Sequence, residues 1–425
     1  MSSNEIKELI ITALNEGFQI HPDLVKVLED RPELIPKVIE AIKKKKEYEP
    51  NNFTITLKDI ESFGLNLEID KTNLIISAEI SLADGVQVST YEELNIMLND
   101  RYKRMKDLWL QRPTKTSLFG LNFIKTKGKE EMWSFALIVQ KISNENYEIL
   151  ADDGKGVFRL KISNKRVYDE IMPGSCVAIK INPSDFSVTD FEDVEFPEVK
   201  RKKIKGKIAL ISDLMLGSNK VEPFFDSLKA IKPDGVFLLG NAVDSLAYIK
   251  NGISPMEGYR KVSELLSELP KRIIKVIIPG HTDSTGKALP QKPVSYKVAK
   301  DLYSAQNVRL LSNPSYLTIN SSNFLLYNAY YMFKSSGMPE QHIVKKLLKI
   351  RHLAPTLGSV PIVPSVSDRL IIEDVPEYFF LGGGKEKVDL IYKGVWSVGV
   401  PSFKECGCYA FINLEKENTE WIQVH

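Results

Sequence analysis

The sequence predicts an α+β chain of several domains: a small helical module, a small β-barrel, and a large α/β domain. Three observations carry that prediction. The chain has 425 residues, more than one ordinary domain, and its 43% hydrophobic and 26% charged residues suffice for real cores. Apolar residues recur at helical spacing near the N-terminus, then alternate in short runs bounded by turn residues between 117 and 200. From 207 onward, short apolar runs and helical stretches take turns, as in an α/β sheet.

Composition excludes several classes. No apolar run approaches roughly eighteen residues, so no membrane partner is expected. The start, MSSNEIKELI, has acidic residues and no long apolar core, so a cytoplasmic protein is expected rather than a secreted one. A net charge of +2 gives no preference for nucleic acid by itself. Cys176, Cys406 and Cys408 are too few for a disulfide framework and suggest a reducing interior. Cys406-Gly407-Cys408 lacks the second pair that a zinc site needs. His21, His281, His342, His352 and His425 are widely scattered, whereas a two-metal hydrolase gathers several on ions about 4 Å apart.

In chain order, 1–46 reads as a helical module. Ile6, Leu9, Ile10, Ala13 and Leu14 form one stripe, Leu24, Val27 and Leu28 a second, Val38, Ile39 and Ile42 a third. Lys43, Lys44, Lys45 and Lys46 read as a solvated helix end. Residues 47–116 read as a linker carrying one amphipathic helix over 90–111, with Thr90 and Glu93 as a capping box. Arg101, Lys103, Arg104 and Lys106 give that helix a basic flank. Over 117–200, about five short strands and one short helix near 165–171 fit an OB-like barrel. Its aromatics, Phe123, Trp133, Phe135, Tyr147 and Phe158, suit either barrel core or stacking on single-stranded DNA. Lys200, Arg201, Lys202, Lys203 and Lys205 make a basic connector, a candidate DNA contact or a solvated link.

The α/β domain, 207–425, presents five loops at carboxyl ends of strands, where α/β sheets place their sites. The stretch 207–218 runs from a buried strand into Asp213 and Met215. The next loops carry Asn241; then His281, Thr282 and Asp283; then Asn328; then Gly383 and Lys385. The glycines Gly382, Gly383 and Gly384 show no phosphate-binding spacing and read as a flexible loop.

This order resembles the calcineurin-like metallophosphoesterases, whose loops read D-x-H, G-D, G-N-H-D, H and G-H-x-H. More closely, the chain resembles the small-subunit family of archaeal family D DNA polymerases. Arg351-His352-Leu353-Ala354-Pro355, followed by Gly358, Pro361, Pro364, Asp368 and Val375-Pro376, resembles that family's R-H-L-A-P segment. The resemblance covers nearly the whole chain and implies a calcineurin-like α/β sandwich after the OB-like barrel. It also implies that Arg351, His352, Leu353 and Pro355 are structural or partner-facing.

Against that pattern the metal positions are degenerate. Asp213 keeps the first aspartate, but Met215 replaces the first histidine, and a thioether binds hard divalent ions poorly. Asn241 replaces the bridging aspartate, and His281 and Thr282 replace Asn-His. Asn328, Gly383 and Lys385 replace the remaining histidines, and a lysine ammonium has no lone pair to give a metal. The expectation is a non-catalytic accessory subunit without a cofactor. By resemblance it docks a DNA polymerase large catalytic subunit and reaches DNA indirectly or through the OB-like domain. One alternative is an active exonuclease or phosphodiesterase holding Mn²⁺ or Mg²⁺ with Asp213, His281, Asp283 and Asp244. Another is a free-standing single-strand-binding protein.

Overall fold

The computed structural model describes residues 2–30, 34–48, 53–62, 72–85, 90–113, 116–143, 146–216 and 220–424. Two compact units emerge, one from the residues up to Thr72 and one from Asn73 onward, apart from Pro270–Arg272. In the first, helices α1 (Ser2–Asn15), α2 (Pro22–Asp30) and α3 (Ile35–Tyr48) gather Leu9, Ala13, Leu24, Leu28, Val38 and Ala41 into one core. Strands β1 (Gln19–Ile20) and β2 (Thr54–Ile55) pair in parallel, and α4 (Leu57–Ser62) follows. Ile55 and Ile60 join the same core, so part of the expected linker belongs to this module.

Of the four lysines that close α3, Lys43 and Lys46 are exposed as a solvated end would be, but Lys45 is not. Lys45 is fully buried, 2.5 Å from Asp59 Oδ1, and donates to the Thr54 carbonyl at 2.8 Å. Lys44 pairs with Glu40 at 2.9 Å and Lys46 with Glu16 at 2.5 Å. The segment 54–60 folds back over α3, which the lysine run alone does not reveal.

The second unit begins with β3 (Ile76–Ser81), a sheet strand inside the other part of the expected linker. Its neighbours at 63–71 and 86–89, with the 217–218 end of the first site stretch, lie outside the described residues. Helix α5 (Tyr91–Leu110) buries Met97, Met105 and Trp109. Its expected capping box is not formed: the Thr90 side chain makes no cap bond, and Glu92 and Glu93 charge the first turn instead.

Five strands close a barrel in the order β4 (Met132–Ser143), β5 (Tyr147–Asp152), β6 (Val157–Ile162), β8 (Ser187–Asp193), β7 (Cys176–Asn182). That is the five-stranded Greek-key arrangement of an OB-fold. Its interior is mainly aliphatic, built on Ile138, Ile149, Leu160, Val177 and Ile179. Phe135 instead faces outward and packs with Met105 and Trp109 of α5. Tyr147 and Phe158 lie against the barrel core, Trp133 against the α5 cluster, and Phe123 is exposed and stacked on Phe119.

Two six-stranded sheets make the rest. The first runs β12 (Val308–Leu310), β11 (Ile274–Ile278), β10 (Gly235–Leu239), β9 (Lys207–Ile211), β18 (Cys408–Asn413), β19 (Asn418–Gln423), parallel from β12 to β9. The second runs β16 (Val388–Tyr392), β17 (Val395–Pro401), β15 (Tyr378–Gly384), β14 (Ser322–Asn328), β13 (Ser315–Ile319), β3. Side chains alternate across each strand. Ile208 and Leu210 meet Phe324, Phe380 and Val398 of the second sheet, while Ala209 and Ile211 meet helices Val221–Ile231 and Pro255–Ser267. On the far side, Leu325, Tyr327 and Phe379 pack on helix Glu340–Ile350. The result is a sandwich of two sheets between helices, the layering that the resemblance implies.

Barrel and sandwich belong to one unit, and Gly174 shows how closely they meet. Its φ is +78°, and a Cβ there would stand 1.9 Å from the Pro355 carbonyl oxygen. Gly174→Ala is therefore expected to destabilise this unit by more than about 1 kcal/mol, through strain and backbone clash together. A urea midpoint unchanged from wild type would contradict this contact.

Candidate functional site

The five loops do converge at the carboxyl ends of β9, β10, β11, β14 and β15. Asp213, Met215 and Asn241 all hold left-handed backbone, with φ of 57°, 38° and 55°. Such strain persists only where the surroundings over-determine it. Here the loops bind one another: Asp213 N–H donates to Gly240 O, and Met215 N–H to Asn241 O, each at 3.0 Å. The Ser212 hydroxyl donates to Leu239 O at 3.1 Å and accepts the Gly383 N–H at 2.9 Å.

Asn241 is the centre. It is fully buried, and its Nδ2 donates to Asp213 Oδ1 at 2.6 Å while standing 3.1 Å from His281 Nδ1. Its Oδ1 accepts from the Thr282 N–H at 2.8 Å and the Thr282 hydroxyl at 3.0 Å. Burial, with Lys287 and Lys334 nearby, pushes the His281 imidazole down to about 4. At neutral pH the ring is uncharged, so its Nδ1 takes the Asn241 N–H. The ring also stacks on Tyr330, centroids 3.5 Å apart.

Asp283 is buried and accepts four bonds: from Asn241 N at 2.7 Å, Gly280 N at 2.8 Å, Val243 N at 3.2 Å and Tyr259 Oη at 2.9 Å. Burial pushes its carboxyl up, and these donors pull against that. Burial likewise raises Asp213, opposed by bonds from Asn241, Ser402 and Ser212. Asp244 caps helix Ser245–Lys250 through Ala247 N at 3.1 Å.

The last two loops depart from expectation. Asn328 is buried, and its Nδ2 donates to Leu239 O at 2.7 Å, tying β14 to β10. Gly382, Gly383 and Gly384 are no flexible loop: β15 continues through Gly384, and all three are buried. A Cβ on Gly382 would lie 2.2 Å from the Leu239 carbonyl oxygen, so glycine permits the close approach of two strands. Lys385 does not point its charge into a buried centre. It is exposed, and it is its N–H that is engaged, donating to Glu340 Oε1 at 2.7 Å.

These residues do not fit a two-metal centre. The lone pairs of Asp213 Oδ1 and His281 Nδ1, the donors a cation needs, both face the Asn241 side-chain NH2 group. Asp283 is enclosed by four protein donors, and Asp244 holds a helix end. Among the described residues, no group of three or more His, Cys, Asp or Glu side chains is placed to hold an ion.

The signature residues lie elsewhere, and they are not partner-facing. Arg351, His352, Leu353 and Pro355 are all buried. Arg351 holds a left-handed φ of 53° and donates to the carbonyls of Ile372 and Glu373. His352 Nδ1 accepts the Ala354 N–H at 3.1 Å, so its Nε2 carries the proton toward Asp368 Oδ2, 3.0 Å away. The same Asp368 oxygen takes Arg101 Nε at 2.6 Å. Arg101 also donates to Gly174 O at 3.0 Å and Pro355 O at 2.9 Å, joining α5, barrel and sandwich. Burial alone would raise the Asp368 carboxyl, but Arg101 and His352 outweigh it and hold it far below the usual range. Burial and Arg101 push His352 down.

Sequence reasoning placed Arg101 on a basic flank and missed its role as this junction. Arg104 is also committed, pairing with Asp100 and Glu373 at 2.8 Å each. On the connector, Arg201 is clamped by Gly394 O at 2.8 Å and Glu417 at 3.0 Å, whereas Lys200, Lys202, Lys203 and Lys205 are exposed.

The comparisons agree with the resemblance. The sequence model of the DNA polymerase alpha/epsilon B subunit matches residues 208–388, the stretch holding both the five loops and the signature. Over that stretch the chain is similar to this family of DNA polymerase small subunits. Among relatives, it is 25% identical over 347 residues to the DNA polymerase II small subunit of Methanothermobacter thermautotrophicus, across 72% of this chain and 71% of that protein. With the same subunit of Pyrococcus abyssi it shares 24% over 348 residues, 70% of this chain but 55% of the relative. With that of Pyrococcus horikoshii it shares 30% over 178 residues, 38% of this chain and 28% of the relative. A solved archaeal phosphodiesterase is similar at 11% identity and a TM-score of 0.31, covering 51% of this chain and 98% of that one. Among the described residues, no helix is long and apolar enough to cross a membrane.

Proposed function

We propose that this chain is the non-catalytic small subunit of a family D-like DNA polymerase, docking and stabilising a large catalytic subunit in the cytoplasm. The observation that carries the non-catalytic reading is the Asn241 amide, set between Asp213 and His281 where hydrolysis requires a bridging carboxylate and two cations. A fold that has lost its chemistry is kept for what it binds. The relatives named DNA polymerase II small subunit support that role. Barrel, α5 and sandwich, joined through Arg101, provide a stiff platform. Contact with DNA falls to the exposed Lys200, Lys202, Lys203 and Lys205 rather than to Lys45, Arg101 or Arg201, which are committed internally. The test is co-expression with a family D large subunit. The two chains are expected to co-elute as a stable complex; a small subunit that elutes alone while the large subunit is folded contradicts the proposal.

A further inference from the structure

Outside the degenerate site, one pair of reactive groups is built together. Helix Phe403–Cys406 ends at Gly407, whose φ of +68° turns the chain directly into β18. That turn brings Cys406 Sγ and Cys408 Sγ to 2.9 Å, with the Cys408 N–H donating to Cys406 Sγ at 3.2 Å. Both cysteines are free thiols. The approach is closer than two ligands of one tetrahedral metal ion stand, so the pair suits a covalent bond rather than a zinc site. Bonding needs the sulfurs to close only to about 2.05 Å.

The surroundings separate the two roles. Cys406 is partly exposed and Cys408 is buried, an accessible thiol backed by a sheltered one. Lys220 Nζ would lie 3.1 Å from a Cβ on Gly407, and the cations of Lys220 and Lys387 favour the thiolate of Cys408. A bond enclosing a single intervening residue removes little chain entropy, so it adds little as a staple. Exchange chemistry is what remains for it.

We propose that Cys406 and Cys408 are a reversible dithiol–disulfide pair that reacts with low-molecular-weight disulfides, Cys406 attacking and Cys408 resolving. The Cys406 thiolate attacks one sulfur of the small disulfide, forms a mixed disulfide and releases one small thiolate. Cys408 gives its proton to that thiolate, attacks Cys406 Sγ and expels the second small thiol after protonation from solvent. Two protein thiols are oxidised and one small disulfide is reduced to two thiols. Burial pushes the Cys408 thiol up, so resolution quickens as pH rises. The third cysteine, Cys176, is buried in the α5–barrel contact and serves as an internal control.

The test is to incubate the full chain with oxidised glutathione at mildly alkaline pH, quench with acid, alkylate, and map thiols by mass spectrometry. The expected end point is loss of the Cys406 and Cys408 thiols to one internal bond, with no glutathione retained, reversed by dithiothreitol. Cys408→Ser is expected to end with one glutathione held on Cys406. Wild-type chain that keeps every thiol, or ends as a lasting glutathione adduct, overturns the proposal. So does a bond that forms only to Cys176 or to a second chain. The wild-type map alone decides if the serine variant does not fold.

Discussion

Arg101→Ala is expected to destabilise the barrel–sandwich unit by about 3–5 kcal/mol, the range for removing one partner of a buried ion pair. The loss has two parts. Asp368, as deeply buried as Arg101, is left with an uncompensated charge, and the carbonyls of Gly174 and Pro355 lose their donor. Arg101→Lys is expected to recover only part, because an ammonium cannot span Asp368 and two carbonyls as the guanidinium fork does. A urea midpoint followed by tryptophan fluorescence measures it, since Trp109 and Trp133 pack in the same α5–barrel contact.

The pH dependence fixes the sign. Asp368 has a depressed folded pKa, so its contribution is complete above the ordinary carboxyl value near 3.9 and is lost as pH falls below it toward the folded value. His352 is depressed too, so below about 6.5 the unfolded chain takes up a proton that the folded chain refuses, and stability falls again on acidification. Both slopes therefore point the same way. In Arg101→Ala the main charge depressing Asp368 is gone, and the steep acid limb is expected to flatten.

Asn241→Asp is expected to cost about 3 kcal/mol or more at neutral pH, although it restores the residue that the phosphoesterase pattern asks for. The new carboxylate would face Asp213 Oδ1 across the 2.6 Å now bridged by an amide N–H, in a fully buried position. Two carboxylates so close share one proton, and the pair's folded pKa is raised. A raised pKa stabilises below the unfolded value and loses that stabilisation as pH rises through the folded value. The deficit should therefore shrink on acidification, opposite in sign to wild type. Thermal unfolding from pH 4 to pH 8 reads it directly, and a variant as stable as wild type at pH 8 contradicts this picture of the centre.

What the sequence made legible follows from what is local. The period-two strands of the barrel and the helix Lys165–Glu170 could be read because turn residues and alternation are short-range signals. The five site loops were also legible, since each follows an apolar strand. Apart from the local Thr90–Glu93 capping box, which does not form, the failures are long-range. Lys45 looked solvated because Asp59 and Thr54 lie beyond the helix that carries it. Arg101 looked like surface charge because its partner Asp368 is 267 residues away. The three glycines looked flexible because only the folded sheet shows Leu239 and Glu340 pressed against them. At the centre, the lost ligands are visible in the residue types, but only geometry shows that the Asn241 amide takes both remaining ones.

The most direct test of a hydrogen-bonded, non-hydrolytic centre is a nuclease assay on 3′-recessed and single-stranded DNA with excess Mn²⁺, beside Asp213→Ala. Wild type and variant are expected to be equally inactive, with no metal retained after dialysis. Mn²⁺-dependent cleavage by wild type that disappears in Asp213→Ala would mean these loops still assemble a metal site, and would contradict the account.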